Sequence, residues 1–132
     1  MSYLWNPALE TGHAQFDEQH HQLFKTLNNI SSAFREGRGK EEIFKTAAFL
    51  AQYTVMHFTA EENLMKELDY PGYNEHKECH EEFKYTVSEL TEKLKEEGPS
   101  EDLIVNITTA VGDWLIGHIR EADKKMAAYC II

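Results

Sequence analysis

The chain has 132 residues, enough for one domain with a sizeable core, and its 42% hydrophobic and 27% charged content is ordinary for a globular protein. Thirteen basic against 23 acidic residues leave a formal charge of -10. That disfavours nucleic acid and anionic membranes as partners, because both select a positive footprint. No apolar run approaches the roughly 20 residues that span a bilayer, and Met1 to Pro7 lack the basic and apolar regions of a signal peptide. Cys79 and Cys130 form neither a CxxC pair nor a disulfide framework. A cytoplasmic monomer is the expectation.

Residues 1–16 carry Pro7 and Gly12 and predict an irregular arm, with Leu4, Trp5 and Leu9 placed to pin it to the body. Four periodic segments follow, at about 17–36, 40–68, 73–97 and 101–128. Gly37-Arg38-Gly39, Asp69-Tyr70-Pro71-Gly72 and Gly98-Pro99-Ser100 punctuate them, and Ser100 is placed to cap the last. Each segment repeats its apolar positions every three or four residues, the mark of a helix that buries one stripe. The seams run Phe16, His20, Leu23, Leu27, Ile30, Phe34, then Ile43, Ala47, Leu50, Thr54, His57, Glu61, Leu64, Leu68. They continue as His76, His80, Phe83, Val87, Leu90, Leu94, then Ile104, Ile107, Val111, Trp114, His118, Ala122. Short connections between long helices favour antiparallel neighbours, so the expected fold is an all-α, up-down-up-down four-helix bundle in a single domain.

Five histidines occupy those seams where leucine would be ordinary: His20, His57, His76, His80 and His118. A buried polar group without a partner costs free energy, and metal coordination supplies a partner. In an up-down-up-down bundle the start of the first and third helices and the end of the second and fourth lie at one level. All five, with Glu61 and Asp123, should therefore converge near Pro71. His57 and Glu61 are four apart, as are His76 and His80, so each pair shares a helix face. His118 and Asp123 are five apart, which on a regular helix turns them away from each other by about a third of a turn or more. That spacing suits Asp123 as a bridge to a second ion. Seven imidazole and carboxylate ligands exceed one zinc site. They suit two adjacent ions, with iron first on chemistry and manganese or zinc behind.

Four motifs carry a family resemblance. Asp17-Glu18-Gln19-His20 with Leu23-Phe24, His57-Phe58-Thr59-Ala60-Glu61-Glu62, His76-Lys77-Glu78-Cys79-His80, and Trp114-Leu115-Ile116-Gly117-His118-Ile119 with Asp123 stand in the order found in the hemerythrins. In length the chain resembles their single-domain bacterial members. The resemblance implies reversible dioxygen binding at a non-haem di-iron centre. It implies that His76, His80 and His118 hold one iron and His20 and His57 the other. Glu61 and Asp123 would bridge the two irons, with an oxo or hydroxo group. It also implies an open position walled by Leu23, Phe58, Trp114, Leu115 and Ile119.

An oxygen carrier, storage or delivery protein is thus expected rather than an enzyme, with dioxygen as ligand and a redox or oxygen-using protein as partner. A di-iron oxidase or peroxidase-like enzyme is the alternative. Oxygen-activating bundles use carboxylate-rich ligands with ExxH motifs on two helices, whereas here ExxH occurs only at Glu10–His13 and Glu18–His21, both near the first helix. A sensor module is the third possibility, weakened by the absence of a second domain. His13 and His21 are expected to be exposed or hydrogen-bonded imidazoles, Cys79 a packed thiol facing away from the metals, and Glu62, Glu78 or Glu81 a support for a ligand imidazole.

Overall fold

The structure is a computed structural model that describes residues 6–131. Leu4 and Trp5 lie outside the described residues. Leu9, the third expected anchor of the arm, is buried in the main core. It closes a single 3₁₀ turn, Pro7–Leu9, in which the Asn6 side chain accepts the Ala8 N–H at 2.9 Å. Asp17 then fastens the arm by accepting the backbone N–H groups of Thr11 (2.9 Å) and Gly12 (3.2 Å) and the Thr11 hydroxyl (2.8 Å).

Helix α1 spans Ala14–Arg35. It begins earlier than the hydrophobic pattern suggests, because His13 is extended and its Nδ1 accepts the Phe16 N–H at 3.3 Å. The arm therefore ends at residue 13, not 16. Helix α2 spans Lys40–Glu67, entered through Gly37 and Gly39 at φ +66° and +92°, backbone angles that cost a side chain. Helix α3 spans Tyr73–Glu97, and α4 spans Glu101–His118, capped by the Ser100 hydroxyl accepting the Leu103 N–H at 3.2 Å. The fourth predicted segment does not stop at residue 128 and is not uniform. It passes through a π turn, Ile119–Asp123, into α5, Lys124–Ile131.

The helices neighbour one another in the cycle α1–α2–α3–α4–α1, the up-down-up-down bundle. Among the described residues, no helix is long and apolar enough to cross a membrane. Of the seam residues, Phe34, Leu64, Leu90 and Trp114 are only partly buried, and the seams shift register near the ends of the second and fourth segments. Leu68 is exposed because α2 ends at Glu67, and Met65 is buried instead. Ala122 is only partly buried because the π turn adds a residue, so Asp123, Met126 and Ala127 face inward.

The interior is layered. A large apolar cluster runs along the bundle as far as Leu23 on α1, Phe58 on α2, Phe83 on α3 and Leu115 and Ile119 on the last helix. A small one, built from Phe16, Met65, Tyr70 and Met126, closes the end near Pro71. Between them, in α1 to α4 and the π turn, come the histidines and carboxylates.

Candidate metal centre

Two loops of helical register bring the side chains together. On α2, His57 and Glu61 are one turn apart, and on α3 so are His76 and His80. On the last helix the wider turn matters. A π turn takes about five residues per hydrogen-bonded loop, so His118 and Asp123 share a face, with His118 Nε2 3.2 Å from Asp123 Oδ1. The expectation that this spacing separates the two side chains is thereby corrected, since it assumed 3.6 residues per turn throughout.

All five imidazoles present Nε2 to the two carboxylates. His20 Nε2 lies 3.0 Å from Asp123 Oδ2, His76 Nε2 3.0 Å from Asp123 Oδ1, and His80 Nε2 3.2 Å from Glu61 Oε1. His57 Nε2 lies 3.5 Å from Glu61 Oε1, and His76 and His118 bring their Nε2 atoms within 3.1 Å of each other. The donor atoms fall into two overlapping groups, each with its members within 4.8 Å of one another. One is Glu61, His76, His80, His118 and Asp123; the other is His20, His57, Glu61 and Asp123. Glu61 and Asp123 belong to both.

This polar layer is costly without a cation. Both Glu61 oxygens, His80 Nε2 and Asp123 Oδ1 are buried and make no hydrogen bond of sound geometry, although imidazole nitrogens stand close. Burial pushes the Glu61 carboxyl well above its usual range, and the nearby Asp123 carboxylate adds to that. Burial acts on Asp123 in the same direction, but the close imidazoles of His118, His20 and His76 outweigh it and hold that carboxyl well below its usual range. Burial also lowers His57 to about 3, with His20 adding to the effect, and His80 to about 2, with His76 and His118 adding to it. His57 and His80 are thus neutral near pH 7, with lone pairs free for a cation. Converging lone pairs, two carboxylates and unsatisfied buried acceptors fit a pair of divalent or trivalent cations.

Residues 11–130 match the family model of the hemerythrin HHE cation binding domain. The chain belongs to the hemerythrin family. Bacteriohemerythrin of Pseudomonas aeruginosa (strain LESB58) is 31% identical over 120 residues, covering 91% of this chain and 76% of that protein. Myohemerythrin of Theromyzon tessulatum is 29% identical over 123 residues, covering 93% and 89%. The crystal structure of wild-type hemerythrin superposes with a TM-score of 0.84 at 28% identity, covering 95% of each chain.

Around this hemerythrin cluster the outer nitrogens are also held. His80 Nδ1 donates to Glu62 Oε2 at 2.8 Å, which singles out Glu62 from the three acids considered; Glu78 and Glu81 are exposed. His57 Nδ1 stands 2.6 Å from Gln19 Oε1, a partner the sequence reading missed. The available signal was position: Gln19 precedes His20 and falls on the α1 face toward α2. Aromatic rings clamp His80 again and one further imidazole, His118. Phe58 stacks on His80 at 3.8 Å, and Trp114 stacks on His118 at 4.3 Å and on Phe83 at 4.0 Å.

His13 lies outside the cluster. Its ring caps α1 and stacks on Phe16 at 4.0 Å. His13→Ala should therefore cost about 1 kcal/mol, the usual worth of a side-chain cap, seen as a lower Tm with metal content unchanged. His21 is exposed. Cys79 does face away from the cluster, but it is exposed rather than packed, because its neighbour His80 takes the inward position.

Proposed function

We propose that this chain binds dioxygen reversibly at a di-iron centre and acts as a carrier, store or delivery protein rather than as an enzyme. The observation that carries this reading is the pair of overlapping donor groups, three histidines on one side and two on the other, sharing Glu61 and Asp123. His76, His80 and His118 would hold one iron, His20 and His57 the other, and Glu61 and Asp123 would bridge them together with an oxo or hydroxo group. Two iron ions, when bound, supply the electrons that dioxygen takes up on binding and returns on release.

The protein's part is to orient donors and keep the guest dry. The two-histidine side has one protein donor fewer and is where a small neutral molecule fits. Leu23, Phe58, Leu115 and Ile119 are buried, and Trp114 is half-buried against His118. These largely apolar walls carry no acidic group, and exclusion of water protects a reversible adduct from loss as peroxide. His13 is held by its cap on α1 and its stack on Phe16 and so does not supply a proton.

The test is iron stoichiometry with absorption spectra in air and under vacuum. Two irons per chain and a visible band that appears in air and vanishes under vacuum are expected; zero or one iron, or a band that never reverses, would count against the reading. Leu115→Ala should shorten the life of the oxygenated form, because it opens a wall. It should also cost about 2–5 kcal/mol of stability as a buried cavity. A decay rate equal to the parent's would remove Leu115 from the pocket.

A further inference from the structure

Resting on the di-iron reading, we infer that Gln19 and Glu62 are positioning residues that make the two metal positions unequal, with a carboxylate behind His80 and a neutral amide behind His57. The orientation of the amide is fixed by its second contact. Gln19 Nε2 lies 3.9 Å from Met56 Sδ, and a thioether sulphur can only accept. The amide therefore turns its NH₂ to Met56 and its carbonyl to His57, so His57 Nδ1 must carry the proton it donates across 2.6 Å. Its Nε2 lone pair is left facing Glu61. On the other side His80 Nδ1 donates to Glu62 at 2.8 Å, with Nε2 facing Glu61.

An outer acceptor fixes the tautomer and ring of a ligating imidazole and raises its basicity. A carboxylate draws on the Nδ1 proton more strongly than an amide does, because the bond is charge-assisted. The His80 side thus binds a cation more tightly for two reasons, one more imidazole and a carboxylate behind it. The His57 side is left weaker, so metal ions load in sequence. Gln19 sets the second affinity and Glu62 the first.

The experiment titrates the metal-free protein with Co(II), following d–d absorption and heat, for the parent, Glu62→Gln and Gln19→Glu. Both substitutions keep side-chain shape, and circular dichroism of the metal-free variants verifies folding. Two unequal steps are expected in the parent. Glu62→Gln should weaken the first by about ten- to hundredfold, and Gln19→Glu should tighten the second by about tenfold. ¹⁵N shifts of His57 in metal-free protein should show the Nδ1–H tautomer in the parent and lose it in Gln19→Leu, which a merely structural role for Gln19 would not produce. Substitutions that leave both steps within about twofold, or that move both steps alike, overturn the inference and leave the di-iron reading standing. A parent that takes up fewer than two Co(II) overturns that reading as well.

Discussion

On the proposed occupancy of two ions per chain, Asp123→Ala should reduce bound metal to fewer than one. Asp123 belongs to both donor groups, so its loss strips a ligand from each at once. Removing an outer histidine such as His57 spoils one group only. Metal binding is coupled to stability, so the parent should melt well above its metal-free form. A ligand at a thousand times its Kd adds about 4 kcal/mol. In Asp123→Ala that gap should nearly close. The metal-free variant should still fold, because it leaves both apolar clusters intact, and relief of Glu61 from the Asp123 charge offsets part of the lost contact with His20, His76 and His118. Metal analysis and paired thermal melts, with and without iron, measure both effects. Two retained ions would show that Asp123 is not a shared ligand.

The metal-free protein should be more stable near neutral pH than in acid and lose stability steadily below pH 6.5. His57 and His80, lowered by burial to about 3 and about 2 in the folded chain, return to 6.5 on unfolding. Below pH 6.5 the unfolded chain thus takes up two protons that the folded chain refuses, and stability falls with falling pH. Glu61 works in the opposite direction. Its folded carboxyl stays protonated well above its ordinary value of 4.5, so its contribution is lost as pH rises through the folded value. Between pH 4.5 and 6.5 the unfolded chain takes up two protons while the folded chain keeps at most the one on Glu61, so stability falls with falling pH by at least roughly 1 kcal/mol per pH unit. Below 4.5 both histidine terms act unopposed by Glu61, and Asp123, held low, adds to the loss beneath its own ordinary value of 3.8. Above 6.5 the histidine terms are flat and stability no longer rises with pH. Urea midpoints across pH 4 to 9 for the metal-free chain would trace this profile. A flat profile would mean that the cluster opens to water when empty.

The bundle and the convergence of the seven side chains were legible because seam and height are both written in residue spacing. His57 with Glu61, and His76 with His80, need only a regular helix to meet. Ser100 declared its cap by residue type and place. What escaped was what spacing does not encode. The step from His118 to Asp123 looked divergent because one π turn cannot be told from an α turn by hydrophobic period alone. Gln19 was hidden because a neutral amide carries no metal signature, and its role depends on how α1 and α2 approach. Glu62 could not be separated from Glu78 and Glu81 for the same reason: the choice among acids is made by a neighbouring helix. Cys79 was misjudged because a small apolar residue type outweighed its place one step from an inward-facing ligand.

The polar layer between two apolar clusters has a consequence for how the molecule comes apart. Among the described residues, the end beyond it is held by the smaller group, Phe16, Met65, Tyr70 and Met126, with Ala60, Leu64, Tyr73 and Cys130 packed against it, and the layer itself gains cohesion when its lone pairs are occupied. Without metal, amide protons around Asp69 to Tyr73 and in α5 should exchange with solvent through local opening, while those lining the large cluster wait for global unfolding. Loading the centre joins these two regimes into one cooperative unit. The cations would then act as a rivet between a stable body and an end that otherwise frays.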